Sequence, residues 1–72
     1  MQTPTIILSI AGSDPSGGAG IQADIKTISA LGGYAAAAIT AITVQNTRGV
    51  TSVDYLPGPL VAAQTEAVLG DL

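Results

Sequence analysis

An almost uninterrupted apolar run, Ile6-Ile7-Leu8-Ser9-Ile10-Ala11, leads directly into the stretch Gly12-Ser13-Asp14-Pro15-Ser16-Gly17-Gly18-Ala19-Gly20. Ile21, Ile25, Ile28 and Leu31 then recur at helical spacing. This order constrains the fold more than any other feature of the chain. An isoleucine-rich run without alternation suits a strand covered on both faces, as in a parallel sheet. A glycine-rich turn from strand into helix lets a ligand approach bare backbone. It also aims the free N–H groups of the first helical turn at that ligand. α/β folds build small-molecule sites in this way, at the carboxyl ends of their strands.

The rest of the chain extends the same pattern. The first strand is expected over residues 5–11, the glycine loop over 12–19 with Asp14-Pro15 as its turn signal, and a helix over 20–31 stopped by Gly32-Gly33. Residues 34–44 form a second buried run. Its alanines, Ala35 to Ala38, also suit a helix, but its distal half, Ile39-Thr40-Ala41-Ile42-Thr43-Val44, is β-branched and the segment follows a helix stop. A strand is therefore expected there, with a polar loop over 45–49 and a short extended segment over 50–56 as an edge strand. Pro57-Gly58-Pro59 breaks that segment, and a last helix is expected over 59–71. The order is strand–helix–strand–extended–helix: one βαβ unit with a right-handed crossover, and the start of another.

Two familiar phosphate-binding loops can be tested against the glycine stretch. Gly12 and Gly17 have the spacing of G-x-x-x-x-G-K-[ST], but Gly18 stands where the lysine belongs and Ala19 where the metal-binding hydroxyl belongs. A Walker-type nucleotide site is excluded. Gly18-Ala19-Gly20-Ile21-Gln22-Ala23 satisfies the dinucleotide spacing G-x-G-x-x-[GA]. Its glycines come too late after the strand for the tight turn that the fingerprint needs, and the second run ends in Gln45-Asn46 with no acid for a ribose hydroxyl.

Composition narrows the classes further. The 72 residues make at most one small domain, 47% hydrophobic and only 10% charged. Such a low charge suggests that much of the surface is meant to be covered by more protein. Two basic residues, Lys26 and Arg48, and two tyrosines argue against nucleic-acid binding. The chain has no cysteine and no histidine, so disulfides, thiol catalysis and histidine acid–base chemistry are excluded from it. The start, Met1-Gln2-Thr3-Pro4, lacks the basic segment of a signal peptide, and the longest apolar stretch is too short to span a bilayer. A cytoplasmic protein without membrane partners is the expectation. The two long strands leave large apolar faces open, so the expected object is the amino-terminal part of a larger α/β protein, with residues 1–72 a fragment of a single domain.

Residues Ile10-Ala11-Gly12-Ser13-Asp14-Pro15-Ser16-Gly17-Gly18-Ala19-Gly20-Ile21-Gln22-Ala23-Asp24-Ile25-Lys26-Thr27 closely resemble the start of the hydroxymethylpyrimidine/phosphomethylpyrimidine kinases of thiamine biosynthesis. The resemblance continues through Ala30-Leu31-Gly32, Ile39-Thr40-Ala41 and Gln45-Asn46-Thr47-Arg48-Gly49-Val50. It implies the amino-terminal portion of a ribokinase-like three-layer α/β fold, here with an incomplete parallel sheet. It also implies a parent kinase that uses ATP and Mg2+, with most of the ATP site, the general base and the anion hole outside these residues. The pyrimidine would be the small-molecule partner, and a homodimer of the full-length protein is left open.

The resemblance further implies a pyrimidine pocket lined by the backbone around Gly12, the small side chain of Ala19, Asp24 in the first turn of the helix, and Gln45 after the second strand. Thr43 would add a wall. A carboxylate accepts hydrogen bonds and an amide both donates and accepts, so Asp24 and Gln45 suit the edge of an aminopyrimidine. Each residue also has a plainer reading. Asp24 favours the positive end of a helix dipole, Gln45 is a solvated loop amide, Gly12 supplies a positive φ, and Thr43 is an ordinary strand residue. Asp14 reads as a turn residue, and Gly17, Gly18 and Gly20 as shaping the loop. Lys26 and Arg48 read as solvated charges. A pyridoxine or pyridoxal kinase fragment, and a non-catalytic remnant or binding module, remain as alternatives.

Overall fold

The computed structural model describes residues 3–72; Met1 and Gln2, on which the signal-peptide reading partly rests, lie outside the described residues. The chain runs β1 (Ile6–Ser13), α1 (Gly20–Ala30), β2 (Tyr34–Asn46), β3 (Gly49–Tyr55) and α2 (Gly58–Leu69). The three strands form one sheet in the order β1-β2-β3. β1 and β2 pair in parallel, from Ile6 against Tyr34 to Ala11 against Ile39, as expected for strands joined by a helix. β3 joins β2 antiparallel, so the described sheet is mixed and its parallel part is the β1–β2 pair.

Small residues let the layers approach. Ala38 and Ala41 of β2 are buried together with Ile21 of α1, and they form the core of the described chain. α1 packs on β1 and β2, and α2 packs on β2. The alanine run is strand because each of its residues pairs with β1, which overrides the helical propensity of alanine. α1 ends where the sequence predicts. Gly32 has φ +85°, its N–H donates to the Ser29 carbonyl at 3.1 Å, and the Gly33 N–H donates to Ile28 at 3.0 Å. These bonds satisfy the last carbonyls of the helix as a Schellman motif does.

Two boundaries differ from expectation in ways that matter for the site. β1 continues to Ser13, which pairs with Ile42 after a register shift beyond Ala11. β2 continues to Asn46 because β3 keeps it in ladder contact, with Gln45 opposite Val50 and Asn46 opposite Gly49. The polar loop therefore shrinks to a tight turn at Thr47-Arg48, in which the Arg48 N–H donates to the Asn46 side chain at 2.8 Å.

α2 is anchored by a side chain acting as a strand. β3 reaches only as far as Ala41, and Leu56 N–H bonds the Thr40 carbonyl at 2.9 Å. The next residue of β2, Ile39, is met by Gln64 of α2. Its N–H donates to Gln64 Oε1 and its carbonyl accepts from Gln64 Nε2, both at 2.9 Å. A primary amide carries the same donor–acceptor pair as a peptide group, so it completes the ladder where the neighbouring strand stops.

Candidate functional site

The carboxyl ends of β1 and β2 lie side by side, and the segment 14–19 closes over them before α1 begins. Asp14 organises this segment. It is 3% exposed and is the buried charged residue among those described. Its Oδ1 accepts from the Ser16 N–H at 2.8 Å and the Ser16 hydroxyl at 2.7 Å. Its Oδ2 accepts from the Gly18 N–H at 3.0 Å and the Ala19 N–H at 2.9 Å. Ala19, the residue preceding α1, makes no side-chain cap bond, and the Asp14 carboxylate holds the two amides just before the helix rather than those of its first turn.

These bonds hold the Asp14 carboxyl below the ordinary aspartate range. The Ser16 hydroxyl contributes most, the Ser16 N–H, the Gln45 side chain and the Ala19 N–H act in the same sense, and burial opposes them. The turn reading of Asp14 thus becomes something firmer. The Gly18 and Ala19 amides, just before the first helical turn, already hold an internal anion.

Gln22 locks the same loop from the helix side. Its Oε1 accepts from the Asp14 N–H and its Nε2 donates to the Ser13 hydroxyl, both at 2.8 Å. Lys26, one turn on, donates to the Gly17 carbonyl at 2.9 Å. Gly20 closes the loop against β1. At φ +58° a Cβ placed on it would sit 2.2 Å from the Gly12 carbonyl oxygen. Only glycine fits both the conformation and the space. The plainer reading of Gly12, a positive φ, is not met, since Gly12 is not among the positive-φ residues. It is an ordinary strand residue beside Ala41 and Thr43.

The five residues named from the sequence fall into two groups. Gly12, Ala19, Thr43 and Gln45 gather around the strand ends. Thr43 Oγ1 donates to the Ser13 carbonyl at 2.7 Å, which ties β2 to the end of β1 and leaves the methyl group toward Gly12. Gln45 is half-buried on β2, within reach of the Asp14 carboxylate, and belongs to the strand rather than to a loop after it. Asp24 is set apart. It lies beyond the first turn of α1, which carries no acid, so the helix-dipole reading does not describe it. Its Oδ2 accepts from the Ser9 hydroxyl of β1 at 2.5 Å. Ser9 and Asp24 line a cleft of about 310 Å³ together with Ile7, Thr27 and Ile28.

Sequence reasoning passed over Ser9, Gln22 and the anchoring role of Asp14. A signal existed for the first: Ser9 is the lone polar residue inside the apolar run of β1. The described residues do not fit a triphosphate or a magnesium ion. The Gly18 and Ala19 amides already hold the Asp14 carboxylate, Lys26 and Arg48 are the only basic side chains of the chain, and no group of three or more acidic, histidine or cysteine side chains gathers among the described residues.

Comparison with known proteins decides the family. The family model described as phosphomethylpyrimidine kinase matches residues 14–72. The chain belongs to the phosphomethylpyrimidine kinase family. The hydroxymethylpyrimidine/phosphomethylpyrimidine kinase of Rhizobium meliloti (strain 1021) is 66% identical over 67 residues, which is 93% of this chain and 25% of that protein. The crystal structure of phosphomethylpyrimidine kinase from Clostridium difficile 630 superposes with a TM-score of 0.88 at 57% identity, covering 93% of this chain and 31% of that one. The pyridoxal kinase of Staphylococcus aureus, solved in complex with AMP-PCP and pyridoxal, superposes with a TM-score of 0.84 at 38% identity. There the match covers 96% of this chain and 26% of that one. The chain therefore spans about a quarter of the length of the curated relative and about a third or less of the solved ones. The α/β order of this phosphomethylpyrimidine kinase family segment is that of its structural neighbours. No helix among its described residues is long and apolar enough to cross a membrane.

Proposed function

We propose that residues 1–72 are the amino-terminal part of a kinase domain that phosphorylates hydroxymethylpyrimidine and its monophosphate from ATP, toward thiamine diphosphate. In this reading the segment supplies one side of the pyrimidine pocket. The observation that carries it is the 66% identity to a hydroxymethylpyrimidine/phosphomethylpyrimidine kinase across the loop and strand ends described above. Within the pocket, Gly12 leaves room for the ring beside β1, Ala19 and Thr43 bound it, and Gln45 recognises its polar edge, with Asp24 meeting that edge from the Ser9 side of α1. The loop's contribution is rigidity: with Asp14 satisfying the amides from within, the wall is formed before substrate arrives. A neutral heterocycle suits such a wall better than a phosphate does, because the anion position is taken. Buried polar groups that pair with one substrate reject an analogue lacking the matching groups.

These residues bind and orient; none is placed to move the phosphoryl group, which needs positioned phosphates and charge compensation that the described residues do not offer. ATP with Mg2+, a cytoplasmic location and a homodimer of the whole protein belong to the same proposal. The test is turnover by the native protein, as its source cell makes it, on hydroxymethylpyrimidine with ATP and Mg2+. Phosphorylation is expected, and Asp24→Ala and Gln45→Ala are each expected to weaken pyrimidine binding about tenfold or more. No turnover at saturating substrate removes the kinase reading, and unchanged affinity in both variants removes the site. The likeness to a pyridoxal kinase solved with pyridoxal supports a second reading, and competition between pyrimidine and pyridoxal separates the two.

A further inference from the structure

Ser9 has no role in the pocket as described so far, yet it makes the side-chain contact that fixes Asp24. The bond joins β1 to α1 across 15 residues of sequence, its length is 2.5 Å, and both residues are half-buried in the same cleft. A hydroxyl donating to a carboxylate forms a short, charge-assisted bond. An ionised carboxylate has two oxygens and about four acceptor positions, so one oxygen can be held by the protein while the other stays available. Here Oδ2 is held. With Oδ2 held, fewer orientations of the carboxylate remain open and Oδ1 stays available as an acceptor. Ile7 and Ile28 line the same cleft.

We infer that Ser9 is a positioning residue for pyrimidine recognition, orienting Asp24 so that its second oxygen meets the substrate's exocyclic amino group. This rests on the proposed pyrimidine role of Asp24. Ser9 contacts no substrate itself; its effect is to remove the ordering cost of Asp24 before binding.

The experiment is calorimetric binding to the native protein, with hydroxymethylpyrimidine and, separately, an ATP analogue as titrants. Four variants are compared with it: Ser9→Ala, Ser9→Thr, Ser9→Cys and Asp24→Asn. Ser9→Ala is expected to raise the pyrimidine Kd about 3- to 10-fold while leaving the ATP-analogue Kd unchanged. Ser9→Thr keeps the hydroxyl on a strand that tolerates β-branching and should stay within about twofold of the native value. Ser9→Cys is nearly isosteric with a weak donor and should follow Ser9→Ala, so the test survives if the alanine variant does not fold. A purely structural clamp between β1 and α1 would lower Tm without this selectivity for one ligand. If Asp24→Asn weakens pyrimidine binding and neither Ser9→Ala nor Ser9→Cys does, the positioning role is overturned and the pocket stands. If Asp24→Asn has no effect, the pocket reading of Asp24 fails and the role of Ser9 fails with it.

Discussion

The β1–α1–β2 half and the β3–α2 half of this chain are held by different means. In the first, every buried residue among those described is found: Asp14, Ile21, Ala38 and Ala41. Its loop is cross-tied by Asp14, Gln22, Lys26 and Thr43. In the second, every residue of β3 is exposed, α2 has no buried residue, and one glutamine joins the helix to the sheet. Val50, Val53, Tyr55, Leu60 and Leu69 all lie open. The first half sets its local geometry through polar contacts, those of its loop short in sequence and those of Thr43 and Asp24 long. The second carries apolar surface without making the contacts that would hold it.

That contrast can be broken most forcefully at Gly20. In the native protein, Gly20→Ala is expected to cost more than about 3 kcal/mol, because the new Cβ meets the Gly12 carbonyl and the backbone is left-handed. Denaturant unfolding measures it, and a cost under about 1 kcal/mol would mean that the loop yields easily and the first half is not rigid.

Asp14 comes next. Asp14→Ala removes the acceptor for the Ser16, Gly18 and Ala19 amides, and exchange of those amides should rise on the order of tenfold or more. The unmodified protein should show the same loosening in acid. Because the carboxyl is held below its ordinary range in the folded state, its stabilisation is complete above that range and is lost as pH falls through the lowered value. Loop amides whose protection, taken against the intrinsic exchange rate at each pH, does not fall through that acid window would show that Asp14 does not hold the loop.

Gln64→Ala tests the other half. It leaves the Ile39 N–H and carbonyl without their partner, at an expected cost of about 1–3 kcal/mol, with the Ile39 amide exchanging faster. Protection unchanged at Ile39 would show that something other than Gln64 completes the ladder. The smallest effect is expected at Val50→Thr, within about 0.5 kcal/mol if β3 stays as open as it is here. A substantially larger loss in the native protein would show that this face is covered, and would sharpen the contrast rather than remove it.

The positions of the strands and helices were legible because apolar periodicity and glycine punctuation act locally. Ile21, Ile25 and Ile28 announce α1, and Gly32-Gly33 its end. The family was legible too, because the loop from Gly12 to Thr27 combines many specific residues. Less legible were the ends of β1 and β2. Gly12, Ser13, Gln45 and Asn46 have weak strand preferences, and they are extended because a neighbouring strand pairs with them. The plainer reading of Gly12, a positive φ, fell for a related reason. The loop's left-handed residues are Gly17 and Gly20, and which glycine takes that conformation depends on where the strand pairing ends.

The sequence by itself determined the element order, the parallel crossover and the residue types at the strand ends. Only the tertiary structure decided how those residues are used. It placed Asp24 on Ser9 rather than in the first helical turn and made Gln64 a substitute strand. The reason is range. Periodicity and turn chemistry are set by neighbours a few residues apart, whereas a hydrogen bond between groups 15 or 25 residues apart exists only once the sheet has brought them together.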